Sequence, residues 1–454
     1  MPFFDVERKI EAAQLRVRIR EIGETIYSQR QPIGKIEYCV TGRGRGPERT
    51  PTKGWKPFAM GRRWGGYDQT TWFRMRAVVP PSMKGKRVVA FIRTTTAPFV
   101  HGAPDMIEGG EALAYVNGVP MLGLDRHHDE LFLIEKAKGG ERFDIALEAT
   151  PSTRHDHYHH FGYADLAVMN TLVWDFYWDC VVGLEVWEQL DMNSTTARHF
   201  MALLDESIFI VDLQHKGTPQ YFASITKAQR HLRAGLKRFE KSDGLGKLIL
   251  AGHSHIDTAW LWPLRETQRK CGRTFSTVLA LMDRYPEFHF SCSQPIQYEW
   301  IKTHYPELFA RIKKRVKEGR WELCGAPWVE PDHNMPTGEA LIRQYLYGNR
   351  WFEREFGKRS HVAWVPDSFG YTWSLPQIMR KVGLTAFVTT KIDWSQYTQF
   401  PYNMFEWEGV DGTRIFAVMP PLNYNGNPVP KECIAQWAQF KQKEFAEEIP
   451  FAFG

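Results

Sequence analysis

His253, His255 and Asp257 stand two residues apart, directly after the apolar run Leu248-Ile249-Leu250-Ala251. Residues two apart in an extended segment point to the same side. Two imidazoles and a carboxylate on one side form half of a divalent-metal site, suited to zinc or a similar first-row ion. A lone histidine at a strand end reads more simply, as a partner for buried backbone groups. The full His-x-His-x-Asp pattern, followed by Trp260 and Trp262, reads as metal-binding. Such a site needs ligands from elsewhere in the chain, and Asp367 in Trp364-Val365-Pro366-Asp367-Ser368-Phe369-Gly370 is the best placed. Two further clusters follow short apolar runs: Trp328, Glu330, Asp332, His333 and Asn334, then Lys391 and Asp393. Glu330 and Asp332 are open to three readings, as ligands, acid–base groups or loop-shaping residues. Lys391 pairs with Asp367, contacts substrate or lies on the surface.

These side chains act together only if the chain brings them to one place. From Lys247 onward, strand and helix patterns alternate. Strands are predicted at 248–251, 288–292, 321–324, 362–365 and 386–389, and helices at 266–285, 308–318, 339–356 and 375–382. Gly319, Gly357 and Gly383 stop three of the helices. Residues 404–419 read as a hairpin turning at Asp411-Gly412. The alternation predicts an α/β fold on a parallel sheet, open or closed into a barrel. Parallel sheets collect ligands at the carboxyl ends of their strands. Four of the predicted strand ends deliver the polar groups above to one rim.

The run Gly252-His253-Ser254-His255-Ile256-Asp257-Thr258-Ala259-Trp260-Leu261-Trp262 resembles the opening motif of the glycoside hydrolase family 38 α-mannosidases. Trp328-Val329-Glu330-Pro331-Asp332 and the segment around Asp367 resemble two later motifs, in the right order. The Ile256-Asp257 pair and the long β region in front resemble the cytosolic/bacterial branch. The resemblance is close over 247–454 and looser over 1–240. It implies a (β/α) barrel-like catalytic domain and one divalent metal ion, zinc or in some members cobalt. It also implies retaining hydrolysis of α-mannosides in mannose-containing oligosaccharides, through a covalent mannosyl–Asp intermediate. By motif position, His255 and Asp257 are implied metal ligands, Asp367 is both ligand and nucleophile, and Trp260 stacks under the mannose ring. Trp328, Asp332 and Lys391 are placed at the substrate. His253 is not a ligand in this correspondence, so the pairing of both histidines gives way. Family members continue for several hundred residues beyond a segment like Phe451-Ala452-Phe453-Gly454. The fourth ligand, a His, and the acid–base Asp are implied there, so the chain is expected to be a C-terminally truncated member.

Ahead of this region, residues 6–27 show helical spacing with many charges, and 41–57 form a Gly/Pro/Arg-rich loop. From 64 to 150 the apolar period changes to two, and Asn117-Gly118 between apolar segments is a hairpin signal. An all-β, jelly-roll-like domain is predicted. Residues 184–243 read as helical. The expected division is an N-terminal helix and loop at 1–60, the jelly-roll-like domain at 61–170, a helical linker at 171–245 and the catalytic domain at 246–454. His127-His128-Asp129 and the run from Arg154 to His160, both rich in histidine, read as solvated loops or a domain contact, with a secondary metal site as the lesser alternative.

The balance of 58 Lys+Arg against 52 Asp+Glu has no concentrated basic block, which argues against nucleic acid as a partner. No apolar run approaches the roughly 18 residues that span a bilayer. The opening Met1-Pro2-Phe3-Phe4-Asp5 lacks a basic-then-apolar signal, so no membrane association is expected. The six cysteines are far apart with no Cys-x-x-Cys, as in reduced cytoplasmic proteins. Aromatic residues make up 14%, which suits the faces of sugar rings and core filling alike. Two rival functions stand beside the mannosidase. A metal-dependent amidohydrolase needs two further histidines, where these strand ends offer Asp and Trp. An inactive carbohydrate-binding fragment would keep the pocket without the acid. A homo-oligomer is left open.

Overall fold

A computed structural model describes residues 3–96, 110–154, 156–239 and 246–454. His155 of the histidine-rich run lies outside the described residues. After the helix Phe3–Gly23 (α1) come Tyr27–Pro32 (β1), Ile36–Arg43 (β2), Lys56–Phe58 (β3), Arg63–Gly65 (β4), Gln69–Val78 (β5) and Arg87–Arg93 (β6). Glu111–Val116 (β7), Val119–Leu124 (β8), Glu130–Ile134 (β9), Arg142–Thr150 (β10), Tyr158–His160 (β11) and Tyr163–Met169 (β12) follow. They form two antiparallel sheets, ordered β1-β12-β6-β9 and β3-β2-β5-β10-β7-β8, beside the small pair β11-β4. Alternate residues make the core between them: Phe73, Met75 and Ala77 of β5 meet Val88, Ala90 and Ile92 of β6. The β7–β8 turn is Asn117-Gly118, with φ of 51° and 82°, a left-handed pair that glycine and asparagine tolerate best. The β region starts at Tyr27, inside the stretch expected to be helix and loop. The edge strand β1 is mostly exposed, so its residues carry no apolar alternation to read.

Thr171–Trp187 (α2), Thr195–Phe209 (α3) and Pro219–Leu236 (α4) begin at Asn170, Ser194 and Thr218. Each of these side chains accepts a hydrogen bond from the N–H three residues on, so each helix starts at a good cap. The helices do not run as a linker. With α1 they cover the outer face of the first sheet, where Leu15, Ile19, Phe176, Leu204 and Ile225 pack with Val89, Phe91 and Ala167.

The second half alternates strand and helix. Lys247–His253 (β13), Leu264–Arg284 (α5), Phe290–Cys292 (β14), Pro295–His304 (α6), Pro306–Lys317 (α7) and Trp321–Leu323 (β15) come first. Gly338–Phe356 (α8), Val362–Trp364 (β16), Leu375–Lys381 (α9) and Ala386–Val388 (β17) follow. Met404–Glu408 (β18), Arg414–Val418 (β19), Pro430–Gln439 (α10) and Glu448–Phe453 (β20) complete it. The strands make two open four-stranded sheets, β15-β14-β13-β20 and β16-β17-β19-β18. This corrects the expectation of a barrel-like sheet. β18 returns antiparallel along β19 and takes the edge that a parallel strand would need for closure. Their carboxyl ends nevertheless converge: Cys324, Trp364, Val388, Val418 and Ala452 pack into one cluster. α8 lies directly on the loop after β15, and a Cβ on Gly348 would sit 1.8 Å from the Ala326 carbonyl oxygen.

Candidate active site and metal centre

Five of the polar residues after these strands, His255, Asp257, Glu330, Asp367 and Lys391, meet at that convergence. His255 Nε2 lies 3.3 Å from Asp257 Oδ1 and 3.5 Å from Asp367 Oδ2. One ligand atom from each of the three residues falls within 4.8 Å of the other two. Asp367 follows β16, and its two oxygens have different surroundings. Oδ1 is 2.5 Å from Lys391 Nζ and accepts a hydrogen bond from the Tyr424 hydroxyl at 3.1 Å, while Oδ2 faces His255. Burial opposes ionisation of Asp367, but the hydrogen bonds and charges of His255 and Lys391 outweigh it and hold the carboxyl at about 2. Burial also disfavours the His255 imidazolium. Its hydrogen bonds to Asp257 and Asp367, with the charge of Glu330, win and raise it to about 10. One imidazole nitrogen and two carboxylate oxygens gathered within 4.8 Å of one another are a donor set that fits a zinc-class cation. His255, Asp257 and Asp367 are the residues that would hold it.

His253 stands apart from this group. It is fully buried, with Nδ1 3.2 Å from the Ser291 carbonyl and Nε2 accepting from Trp364 Nε1 at 3.1 Å. Burial, with the neighbouring His255, pushes it down to about 3, so it is a neutral imidazole with both nitrogens engaged. Glu330 is buried against His255 and Asp367, and burial raises its carboxyl to about 7. Asp332 turns outward, where Oδ1 accepts the N–H groups of Asn334 and Met335 and shapes its own loop. Trp328 is half-buried, its ring 6.3 Å from that of Trp351 in the core. Trp260 is 61% exposed and meets Trp262 edge to face. The Lys391 ammonium is buried under aromatic rings, 3.3 Å from the Trp394 centroid and 5.0 Å from that of Phe369.

Two residues of the site were missed in the sequence. Gln294 follows β14 with φ of 64° and is fully buried. Its Nε2 donates to the Ile256 carbonyl at 3.0 Å, and its Oε1 accepts from the Thr258 hydroxyl at 2.6 Å and from Glu330 N–H at 3.3 Å. It ties the loop after β13 to the loop after β15. Tyr424 follows β19. The signal for both was their place after a strand, at the two strand ends from which no polar residue was taken.

The site loop is also braced from the β region. Thr267 Oγ1 on α5 donates to the Thr258 carbonyl at 3.1 Å, and Trp262 Nε1 donates to Thr267 Oγ1 at 3.1 Å. Two residues on, the buried Arg269 reaches Thr70 Oγ1 of β5 at 2.7 Å and Glu266 at 3.2 Å. Arg273 lies 2.5 Å from Glu111 and 2.6 Å from Glu266.

Residues 246–454 match the glycosyl hydrolases family 38 N-terminal domain, and residues 40–166 match the α-mannosidase jelly roll domain. Alpha-mannosidase G of Dictyostelium discoideum is 30% identical over 415 residues, which are 87% of this chain and 36% of that protein. Alpha-mannosidase 2C1 of Homo sapiens is 32% identical over 433 residues, 90% of this chain and 39% of that protein. An alpha-mannosidase of Saccharomyces cerevisiae is 38% identical over 205 residues, 45% of this chain and 18% of that protein. The chain spans about two fifths or less of the length of these relatives. The clustered His255, Asp257 and Asp367 thus lie in a glycoside hydrolase family 38 N-terminal domain, with an α-mannosidase jelly roll domain ahead of it.

Proposed function

We propose that this protein hydrolyses terminal α-mannosides of mannose-containing oligosaccharides with retention, through a mannosyl ester on Asp367. The observation that carries the reading is the setting of Asp367. It is an ionised carboxylate held by Lys391 and Tyr424 on one oxygen, beside His255 on the other, at the rim where Trp260 is exposed. Asp367 attacks the anomeric carbon as the bond to the leaving oxygen breaks and that oxygen takes up a proton. Water then attacks the ester and frees Asp367. Trp260 offers a flat face to the sugar ring. A zinc or cobalt ion held by His255, Asp257 and Asp367 would supply Lewis-acid polarisation and an anchor for sugar hydroxyl groups. Supporting a reducing, cytoplasmic setting, all six cysteines are free. Among the described residues no helix is long and apolar enough to cross a membrane.

The test is release of a reactive aryl group from an aryl α-mannoside, with chelator and then with zinc or cobalt restored. Such a leaving group hardly needs protonation, so the assay reads Asp367 and its surroundings directly. Metal-restored turnover that disappears in Asp367→Asn supports the reading. Folded protein that binds the mannoside without turning it over favours a carbohydrate-binding role, and hydrolysis of an amide instead favours the amidohydrolase.

A further inference from the structure

We propose that Glu330 is a positioning residue that fixes the tautomer and orientation of His255 as a metal ligand and locks it in register with Asp367. The inference rests on the metal-bound reading of the site. Glu330 sits behind the cluster, its two oxygens divided between two of the proposed ligands. Oε1 accepts the backbone N–H of Asp367 at 2.8 Å, and Oε2 lies 3.4 Å from His255 Nδ1. His255 Nδ1 and Glu330 Oε2 are both shut off from solvent, and neither has a hydrogen-bond partner elsewhere. Each is therefore left with the other as its polar neighbour. The opposite ring nitrogen, Nε2, is the one that faces Asp257 and Asp367. An anion at Nδ1 keeps the proton there, leaves the Nε2 lone pair free for a cation and strengthens it as a donor.

The loop that carries Glu330 is held firmly enough for this role. Glu330 N–H donates to Gln294, Val329 N–H donates to Gln344 Oε1 at 3.0 Å, and Trp328 N–H donates to the Gln344 carbonyl at 2.9 Å. Glu330 is not the acid that protonates a leaving group. Both of its oxygens are directed at the backs of His255 and Asp367, and its side chain is 9% exposed. The same geometry separates it from the ligands, since it addresses the ring nitrogen on the far side from Asp257 and Asp367.

The test compares wild-type protein with Glu330→Gln and Glu330→Asp. Zinc affinity is read by competition with a chromogenic chelator, the visible spectrum of the cobalt-loaded protein reports ligand geometry, and thermal unfolding of metal-free protein checks the fold. Glu330→Gln keeps the shape but places an amide opposite Nδ1. It is expected to weaken zinc binding about 10- to 100-fold and to shift the cobalt spectrum. Glu330→Asp retains the anion and is expected to recover part of the affinity. A folded Glu330→Gln protein with wild-type affinity and spectrum would overturn the role of Glu330 alone. Wild-type protein that binds neither ion would overturn the metal reading and this role together. If neither variant folds, the zinc-loaded wild type decides: a low-field Hδ1 proton resonance, absent in His255→Asn, supports the proposal, and its absence from the wild type overturns it.

Discussion

Lys391 Nζ lies 2.5 Å from Asp367 Oδ1 and 3.3 Å from the centroid of the Trp394 ring. A buried ammonium between a carboxylate and an aromatic face holds that carboxylate ionised and in place without shielding its second oxygen. Lys391→Met removes the charge and keeps much of the apolar stem. We expect kcat/KM for an aryl α-mannoside to fall on the order of 10²-fold. Zinc affinity, read by chelator competition, should change much less, because Lys391 addresses Oδ1 and the proposed ligand set uses the side of Asp367 that faces His255.

Tyr424 makes a weaker version of the same contact, one neutral hydroxyl at 3.1 Å from Asp367 Oδ1. Its ring also packs edge to face on His255, with centroids 5.2 Å apart. Tyr424→Phe deletes the hydroxyl and keeps the ring. The expected loss in kcat/KM is about 3- to 10-fold, the size of one hydrogen bond worth about 1 kcal/mol. Tyr424→Ala should cost more, since the packing against His255 goes with it.

Gly348 lets α8 approach the loop that holds Trp328 and Glu330, and the carbonyl it meets is backbone that cannot swing aside. Gly348→Ala forces the helix away from that loop. Overpacking of this kind costs about 1–3 kcal/mol. A lowered thermal midpoint together with weaker zinc binding is expected, and a drop in stability without any change at the metal would disconnect α8 from the site.

What was legible in the sequence is what local spacing decides. His255, Asp257 and Asp367 could be singled out because each directly follows a short apolar strand, and the structure brings them together. His253 shows the limit of that reasoning. Its spacing is as good as that of His255, but Ser291 and Trp364, 38 and 111 residues away, engage its nitrogens. Glu330 and Asp332 are two apart yet diverge, one inward to His255 and the other to its own loop, because the chain turns between them instead of staying extended. The alternation of strands and helices announced parallel pairing. Which edges would meet was not written locally: β20 joins β13 from the far end of the domain, and β18 occupies an edge through a hairpin. Gln294 and Tyr424 act through contacts to other loops, Gln294 to Ile256, Thr258 and Glu330 and Tyr424 to Asp367 and His255, and nothing in the residues beside them marks those contacts.

Glu148 of β10 faces α5 at the contact between the β region and the site-bearing half, with Oε1 3.8 Å from Arg269 Nε. Burial raises its carboxyl from the ordinary 4.5 to about 7, although Arg269 pulls the other way. The folded protein therefore holds this proton more tightly than the unfolded chain, so folding takes up a proton between those two values. The stabilisation is fully present below the ordinary carboxyl value and is lost as pH rises through about 7. Unfolding in denaturant, followed from about pH 5 to 8, should show stability declining across that interval. Glu148→Gln carries no titrating group but can still accept from the Glu48 N–H that Glu148 engages at 3.1 Å. It should flatten the decline. Because α5 carries Thr267, which grips the carbonyl of Thr258 beside the site, the same substitution should leave zinc affinity less dependent on pH at the upper end of the range.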